Sequence, residues 1–438
     1  MTPKQIIDNG PMHWRQWMAV AITIGLNALD GFDVLSSAFA GPGIKQEWHL
    51  APDGLGAVLA MELVGMGVGS LLLGGAADKI GRRPTILACL VMMSVGMFLA
   101  AAATSPQSLS LWRFLTGIGI GGMLSAINAV ANEFSSNKGR SIAMALMVIG
   151  YPLGGFFGGQ IVKYLLPAND WRAIFEFGAG ATVASIPLVL FFIPETPSFL
   201  NQRRPKGALE RINKTLASFR LPTLDALREF EPHQAKASVA DIFKPAYLKT
   251  TLVLSVAYAF HALTFYYILK MAPSIISDPQ FAGQSFSKAE GAGVLAYANL
   301  GGALGGAVFG WFMHKFGIKR STMVALGLAV LLVIKFGTGE TTLAGWTVAV
   351  LLVGLFTNSA IVGFYSAWAI AYPTHVRATG TGFALSIGRG GAALSPYLAG
   401  LLFANDLGLF KVSLIMSMGS LVALALFSML NLKDAEAH

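Results

Sequence analysis

Runs of about 20 mostly apolar residues recur from one end of this chain to the other, broken by short polar stretches. Each run is long enough for a helix to cross a hydrocarbon core of about 30 Å. Twelve spans are predicted, at about 17–39, 54–77, 84–104, 108–134, 141–166, 172–193, 248–275, 289–313, 321–338, 342–370, 378–404 and 408–431. A β-barrel would instead alternate apolar and polar residues over segments of about 10 residues, and that pattern is missing. One long polar stretch, Glu195 to Lys249, lies between the sixth and seventh spans, with a short helical pattern around Lys206–Leu216. It divides the chain into a first six-span bundle (1–194), a linker (195–247) and a second six-span bundle (248–438). The predicted fold is an all-α polytopic membrane protein of twelve transmembrane helices in two six-helix bundles.

Composition agrees with this pattern. The 438 residues are 54% hydrophobic and only 12% charged, whereas a soluble domain carries roughly 25% charge. A net charge of +9 would suggest nucleic acid as the partner of a soluble protein. Here the basic residues cluster in every second connection: Asp78-Lys-Ile-Gly-Arg-Arg83, Lys138-Gly-Arg140, the linker, His314-Lys-Phe-Gly-Ile-Lys-Arg320 and Arg377. The opposite connections hold only scattered Lys45, Lys163, Arg172, Lys288 and Lys411. The positive-inside rule therefore puts both termini and the linker in the cytoplasm, in a multi-pass inner-membrane protein touching lipid and no nucleic acid. The N-terminus shows no cleavable signal, so the first span is expected to be retained. Cys89, inside an apolar run, offers no disulfide framework and no zinc cluster. The seven histidines are scattered, with no His-x-x-x-His pair, so no metal site, cofactor or enzyme activity is expected. The linker is too small and polar for a receptor's signalling domain, and a monomer is expected.

The halves also repeat one another. Gly69-Ser-Leu-Leu-Leu-Gly74-Gly-Ala-Ala-Asp78-Lys79-Ile-Gly81-Arg-Arg83 aligns with Gly305-Gly-Ala-Val-Phe-Gly310-Trp-Phe-Met-His314-Lys315-Phe-Gly317-Ile-Lys319. In the same register Arg140 matches Arg377, and Pro42, taken as the end of the first span, matches Pro273. Parallel repeats imply two bundles related by an axis along the membrane normal, with a site between them.

Chemistry is expected where charge enters the apolar spans. Asp30 and Asp33 are three apart, hence on one helix face. A carboxylate in hydrocarbon costs at least roughly 2.5–3.5 kcal/mol, so such residues usually face a cavity and carry protons or ions. Counted at about 1.5 Å per residue from its cytoplasmic start, both lie roughly 20–25 Å along the first helix, while Arg113 lies about 7 Å below the outer end, the start, of the fourth, which runs the opposite way. Their similar depth suggests that Arg113 pairs with Asp33 or Asp30, unless it snorkels outward or caps a neighbouring helix. Glu62 is either a third acid in the relay or a protonated packing residue. Arg389, about 18 Å into the eleventh span, is placed to clamp a substrate carboxylate with its planar guanidinium, or to bridge helices with an acid such as Glu62. Lys270 and Lys335 are expected to snorkel from helix ends. The glycine-rich runs allow tight helix packing and are not phosphate loops.

Several motifs resemble those of the major facilitator superfamily, over nearly the whole chain. Gly74-Gly-Ala-Ala-Asp78-Lys-Ile-Gly81-Arg82-Arg83-Pro is similar to its loop signature between spans two and three. Arg113-Phe-Leu-Thr-Gly117-Ile-Gly-Ile-Gly121-Gly resembles its fourth-span motif, and Pro194-Glu195-Thr196-Pro197-Ser-Phe-Leu200 the element after span six. Within the superfamily, Asp30-Gly-Phe-Asp33 resembles the Asp-Gly-x-Asp motif of the aromatic acid:proton symporters. The run from Arg377 through Arg389-Gly-Gly-Ala-Ala-Leu-Ser-Pro396 is similar to that family too. Glu62 falls outside these signatures.

The resemblance implies a proton-coupled importer of benzoate-, hydroxybenzoate-, phenylpropenoid- or muconate-type acids, working by alternating access and feeding aromatic catabolism. A carrier of another organic acid or a sugar, or an exporter, is the alternative. Asp30, Asp33, Arg113 and Glu62 would then serve proton coupling. Arg389 would hold the anion, with Tyr151, Asn299, His261, Phe32, Phe364, Tyr365 and Trp368 as candidates for the aromatic slot. Each of these is equally a core or lipid-facing residue, and His261 a satisfied core histidine. The resemblance also implies that Asp78, Arg82, Arg83, Glu133 and Arg140 form a charge cluster holding the cytoplasmic side shut in the outward-open state. Otherwise the basic residues only set topology.

Overall fold

The structure, a computed structural model, describes residues 2–73, 75–227, 239–279, 286–372 and 374–430, and every element in it is helical. Twelve long helices follow the predicted spans. They are α1 (Trp14–Trp48), α2 (Pro52–Leu73), α3 (Arg82–Ala101), α4 (Pro106–Phe134), α5 (Asn137–Leu165), α6 (Arg172–Phe192), α7 (Pro245–Ser277), α8 (Lys288–Phe316), α9 (Ile318–Gly337), α10 (Leu343–Ala371), α11 (Thr374–Ala404) and α12 (Leu409–Ser428). All but α11 are apolar enough along a membrane-length stretch to be recognised as spans by composition among the described residues. α11 has 31 residues, about 46 Å of helix, and its polar residues and glycines dilute its hydropathy.

Local signals set the helix starts. Ser105 caps α4 ahead of Pro106, whose missing N–H falls where the helix needs none. Ser287 and Glu290 cap α8 reciprocally, the Ser287 hydroxyl accepting from the Glu290 N–H. The repeat is visible in the backbone as well. Gly81 before α3 and Gly317 before α9 both take positive φ, +112° and +82°, at matching places in the two halves.

The expected end of the first span at Pro42 is corrected: α1 continues through Pro42 to Trp48, as α7 continues through Pro273 to Ser277. Proline deprives the preceding turn of one hydrogen bond, but every residue from Asp30 to Ile44 is buried among other helices, which hold the segment helical. The expected short helix in the linker appears as Ala208–Ser218. Its Ile212 and Leu216 are buried with Phe134 of α4, and Phe219 meets the Phe134 ring edge-on at 5.4 Å. The linker's residues 228–238 lie outside the described residues.

Packing differs between the two ends of the molecule. At the end away from the termini, the far face, one buried apolar cluster joins both halves, with Phe39, Leu55 and Val58 against Leu269, Ile275 and Phe403. Toward the face that carries the termini there are two clusters, one largely from the first half and one from the second. At the far face α2 and α11 touch backbone to backbone: a Cβ added at Gly56 would lie 2.3 Å from the Pro396 carbonyl oxygen. Lys45 of α1 also pairs there with Asp278, just past α7. Large apolar side chains such as Phe191 (81% exposed) and Leu331 (63%) point outward, as a lipid-facing surface requires.

Candidate functional site

The separation toward the termini face leaves a cavity of about 390 Å³ between the halves, lined by α1, α2, α4, α5, α7, α8, α10 and α11. It runs from mid-depth, at Met66 and Leu269, toward the termini face, at Asn128 and Thr381. A water occupies about 30 Å³, so the space suits a one-ring molecule with some solvent.

Four residues expected in the substrate slot line this cavity: Arg389, Tyr151, Asn299 and Tyr365. Arg389 is half-buried at the middle of α11, and its guanidinium has no ion-pair partner among the described residues. The Tyr151 hydroxyl and the Asn27 Oδ1, both buried in the wall, have no hydrogen-bond partner among the described residues. Asn27 anchors itself through Nδ2, which donates to the Met147 carbonyl at 2.5 Å.

Four expected slot residues are not in the wall. Phe32 stacks behind it on Phe39 and meets Phe177 edge-on at 5.4 Å. Trp368 is fully buried against Tyr258 at 5.0 Å, and Phe364 lies with it. His261 is the satisfied core histidine: Nε2 donates to the Thr357 carbonyl and Nδ1 accepts from the Ser420 hydroxyl, each at 2.9 Å. Helix rotation turns these four away from the cavity. Conversely, Asn27, Asn128, Tyr258, Tyr266, Asn358 and Thr381 line the cavity without having been singled out. The signal was present for the tyrosines, because residues eight apart share one stripe of a helix.

The charges sit above the cavity on the far side. Arg113, Glu62 and Lys270 are each fully buried. Arg113 pairs with Glu62 Oε1 at 2.5 Å, and Lys270 Nζ reaches Glu62 Oε2 at 3.0 Å. Ser37 donates to the same Oε2 at 2.6 Å, and Lys270 also bonds the Val34 carbonyl. The expected pairing of Arg113 with an aspartate is therefore corrected: its carboxylate partner is Glu62, and it bonds Asp33 only through the backbone carbonyl, at 2.7 Å. The Phe175 ring lies 5.2 Å from the Arg113 guanidinium on the other side. A Glu62–Arg389 bridge is likewise not formed, since both Glu62 oxygens are taken by Arg113 and Lys270. Lys270 does not snorkel; the second half carries it into the first. Lys335 does reach a helix end, pairing with Glu340 at 2.8 Å.

Asp30 and Asp33 are buried below this network, and their carboxylate oxygens have no hydrogen-bond partner among the described residues. Asp30 lies within electrostatic range of Asp33 and Arg389, and Asp33 within range of Arg113 and Glu62. Arg389, Asp30, Asp33, Arg113, Glu62 and Lys270, six acids and bases, thus follow one another from the cavity wall to the far-face seam.

At the termini face, Arg82 pairs with Asp78 at 3.1 Å and with Glu133 at 2.9 Å. Glu195, missed as a member, accepts the backbone N–H groups of Arg82 and Arg83 at 3.0 and 3.3 Å. Burial pushes the Glu195 carboxyl above the usual carboxylate range, against the pull of those N–H groups. Arg83 donates to the Leu190 carbonyl at 2.5 Å. Arg140 does not join the cluster; it pairs with Asp8 in the helix Pro3–Asn9, because its own helix start lies beside that segment.

The family model of the Major Facilitator Superfamily matches residues 22–396. A gallate transporter of Pseudomonas putida is 29% identical over 409 residues, covering 93% of this chain and 90% of that protein. The 4-hydroxybenzoate transporter PcaK of Acinetobacter baylyi is 29% identical over 447 residues, covering 99% and 94%. The xylose transporter XylE of E. coli, solved in a partially occluded inward-open conformation, superposes with a TM-score of 0.72 at 13% identity, covering 97% of this chain and 99% of that one. Twelve long helices, an internal repeat carried into the backbone and a cavity between the halves agree with the match: this chain belongs to the Major Facilitator Superfamily.

Proposed function

We propose that this protein imports a small aromatic carboxylate together with protons by alternating access. The observation that carries the reading is Arg389, a guanidinium with no counter-ion among the described residues, on the wall of an apolar, tyrosine-lined cavity between the halves. A carboxylate would complete it with two parallel hydrogen bonds, and the tyrosine rings offer the flat apolar faces an aromatic ring packs on. The relatives named for gallate and 4-hydroxybenzoate support this substrate class.

In this reading residues 1–194 and 248–438 move as two bundles joined by 195–247, in the cytoplasmic membrane with both termini inside. The cavity then faces the cytoplasm and the far-face seam is the closed outer gate. Asp30 and Asp33 carry protons: a carboxylate dehydrated in one state and hydrated or paired in the other changes its proton affinity with conformation. The two titrate as a pair. The Asp78–Arg82–Glu133 cluster stabilises the inner ends of α2, α3 and α4, where the outward-open state must close. The protein acts as a monomer.

The test is uptake of labelled 4-hydroxybenzoate and gallate by purified protein in proteoliposomes, with and without an inward proton gradient, against aromatic, muconate-like and sugar competitors. Gradient-driven accumulation blocked by aromatic acids is expected. No uptake and no competition from folded protein would discard the substrate class.

A further inference from the structure

The Glu62–Lys270 pair has a property that the pairs inside a single bundle lack. Glu62 belongs to α2 in the first half and Lys270 to α7 in the second, and Lys270 spends its remaining bonds on α1, at the Val34 carbonyl and, at 3.4 Å, the Ser37 hydroxyl. Arg113, the other partner of Glu62, moves with the first half. Leu63 and Leu269, the residues next to Glu62 and Lys270 in sequence, both line the cavity. The far-face seam cannot part without withdrawing Lys270 from three oxygens of the first half.

We propose that Lys270 is the coupling lysine of this transporter: a cross-bundle latch that sets the proton affinity of Glu62 according to whether the outer gate is shut. This rests on the proton-coupled reading above. With the gate shut, Glu62 lies between two cations, Arg113 and Lys270. When the gate opens, Lys270 leaves with the second half, and Glu62 keeps Arg113 alone, with Asp33 nearby. Losing one of two adjacent cations raises a carboxylate's proton affinity, and water from the outer face now supplies the proton. Closure brings Lys270 back, its charge drives the proton off Glu62, and the neighbouring carboxylates of Asp33 and Asp30 receive it on the way to the cavity. The groups that face Glu62 are thus Arg113 from α4, Lys270 and Tyr266 from α7, Asp33 from α1 and Tyr151 from α5, with Arg389 of α11 further along α2. Of these, Lys270 is the second-half cation paired directly with Glu62.

The test reads the seam directly. Spin labels at Gln46→Cys and Asn405→Cys, two exposed positions on the far-face ends of opposite halves, in a Cys89→Ser background, report the outer distance by double electron–electron resonance in liposomes. In otherwise native protein the short distance should dominate at neutral pH and the long one should grow on acidification. Lys270→Met keeps the length of the side chain and removes its charge; Glu62→Gln mimics the protonated acid. Each should raise the long-to-short ratio at pH 7 by about tenfold or more and flatten its pH response. The two variants are read in parallel, so poor folding of one leaves the other to decide. A folded variant that keeps the native distances or the native pH response overturns the proposal. The distances need no substrate. Failed aromatic-acid uptake with an intact distance response would therefore discard the substrate reading alone, and the reverse would discard the latch alone.

Discussion

The far-face seam and the cavity beneath it are built from the same helices and solve opposite problems. At the seam the polar groups find partners in the protein: Glu62 serves Arg113, Lys270 and Ser37, and Lys45 serves Asp278. In the cavity Arg389, the Tyr151 hydroxyl and the Asn27 oxygen have none among the described residues. A buried ion pair broken on one side leaves an uncompensated charge, so the seam governs stability and conformation. A polar group already exposed to a cavity gains when a ligand arrives, so in the proposed reading the wall governs binding.

That contrast can be broken by mutation. The largest effect is expected between the two regions: Asp30→Asn and Asp33→Asn should abolish gradient-driven accumulation while counterflow exchange persists, measured in proteoliposomes. Accumulation surviving both changes would remove the aspartates from coupling. In the seam, Arg113→Leu should cost about 3–5 kcal/mol of stability, read as a lower thermal midpoint in detergent, since Glu62 loses its own-half partner. In the wall, Arg389→Lys should leave the midpoint in place but weaken binding about tenfold or more, read by calorimetry, because an ammonium lacks the planar fork. Unchanged affinity would sink the clamp. Tyr151→Phe should cost a smaller, roughly two- to tenfold loss of affinity for ring-hydroxylated acids and less for benzoate.

The smallest effect belongs to the termini face. Burial holds the Glu195 carboxyl above its ordinary range, so the folded state binds that proton more tightly than the unfolded chain does. Its contribution to stability is therefore complete below the ordinary carboxylate range and declines as pH rises through the raised value. Glu195→Gln should flatten that part of the pH–stability curve; an unchanged slope would remove Glu195 as its source.

Much of the fold was legible because hydrocarbon is an unforgiving solvent. A span must be apolar and helical along its length, and the Gly81 and Gly317 loops repeat in sequence as they do in backbone angle. The acids and arginines of the site were legible for the same reason, since charge in a span is too costly to be casual. Partnership was less so. Arg113 and Asp33 lie at one depth, yet the Arg113 side chain crosses to α2 and takes Glu62. Lys270 reads as a snorkelling lysine until α7 is seen to continue past Pro273, which places it well inside the seam.

From the sequence alone came the twelve helices, the two halves, the side that carries the basic loops and which buried residues are ionisable. One-dimensional patterning suffices for these, because each is a property of a single helix in its solvent. Tertiary structure decided which charges meet, which of Phe32, His261, Trp368, Tyr258 and Tyr266 face the cavity, and which end of the two bundles is shut. Those depend on how each helix is rotated and tilted against its neighbours. Many distant residues share in setting that geometry, and no single segment encodes it.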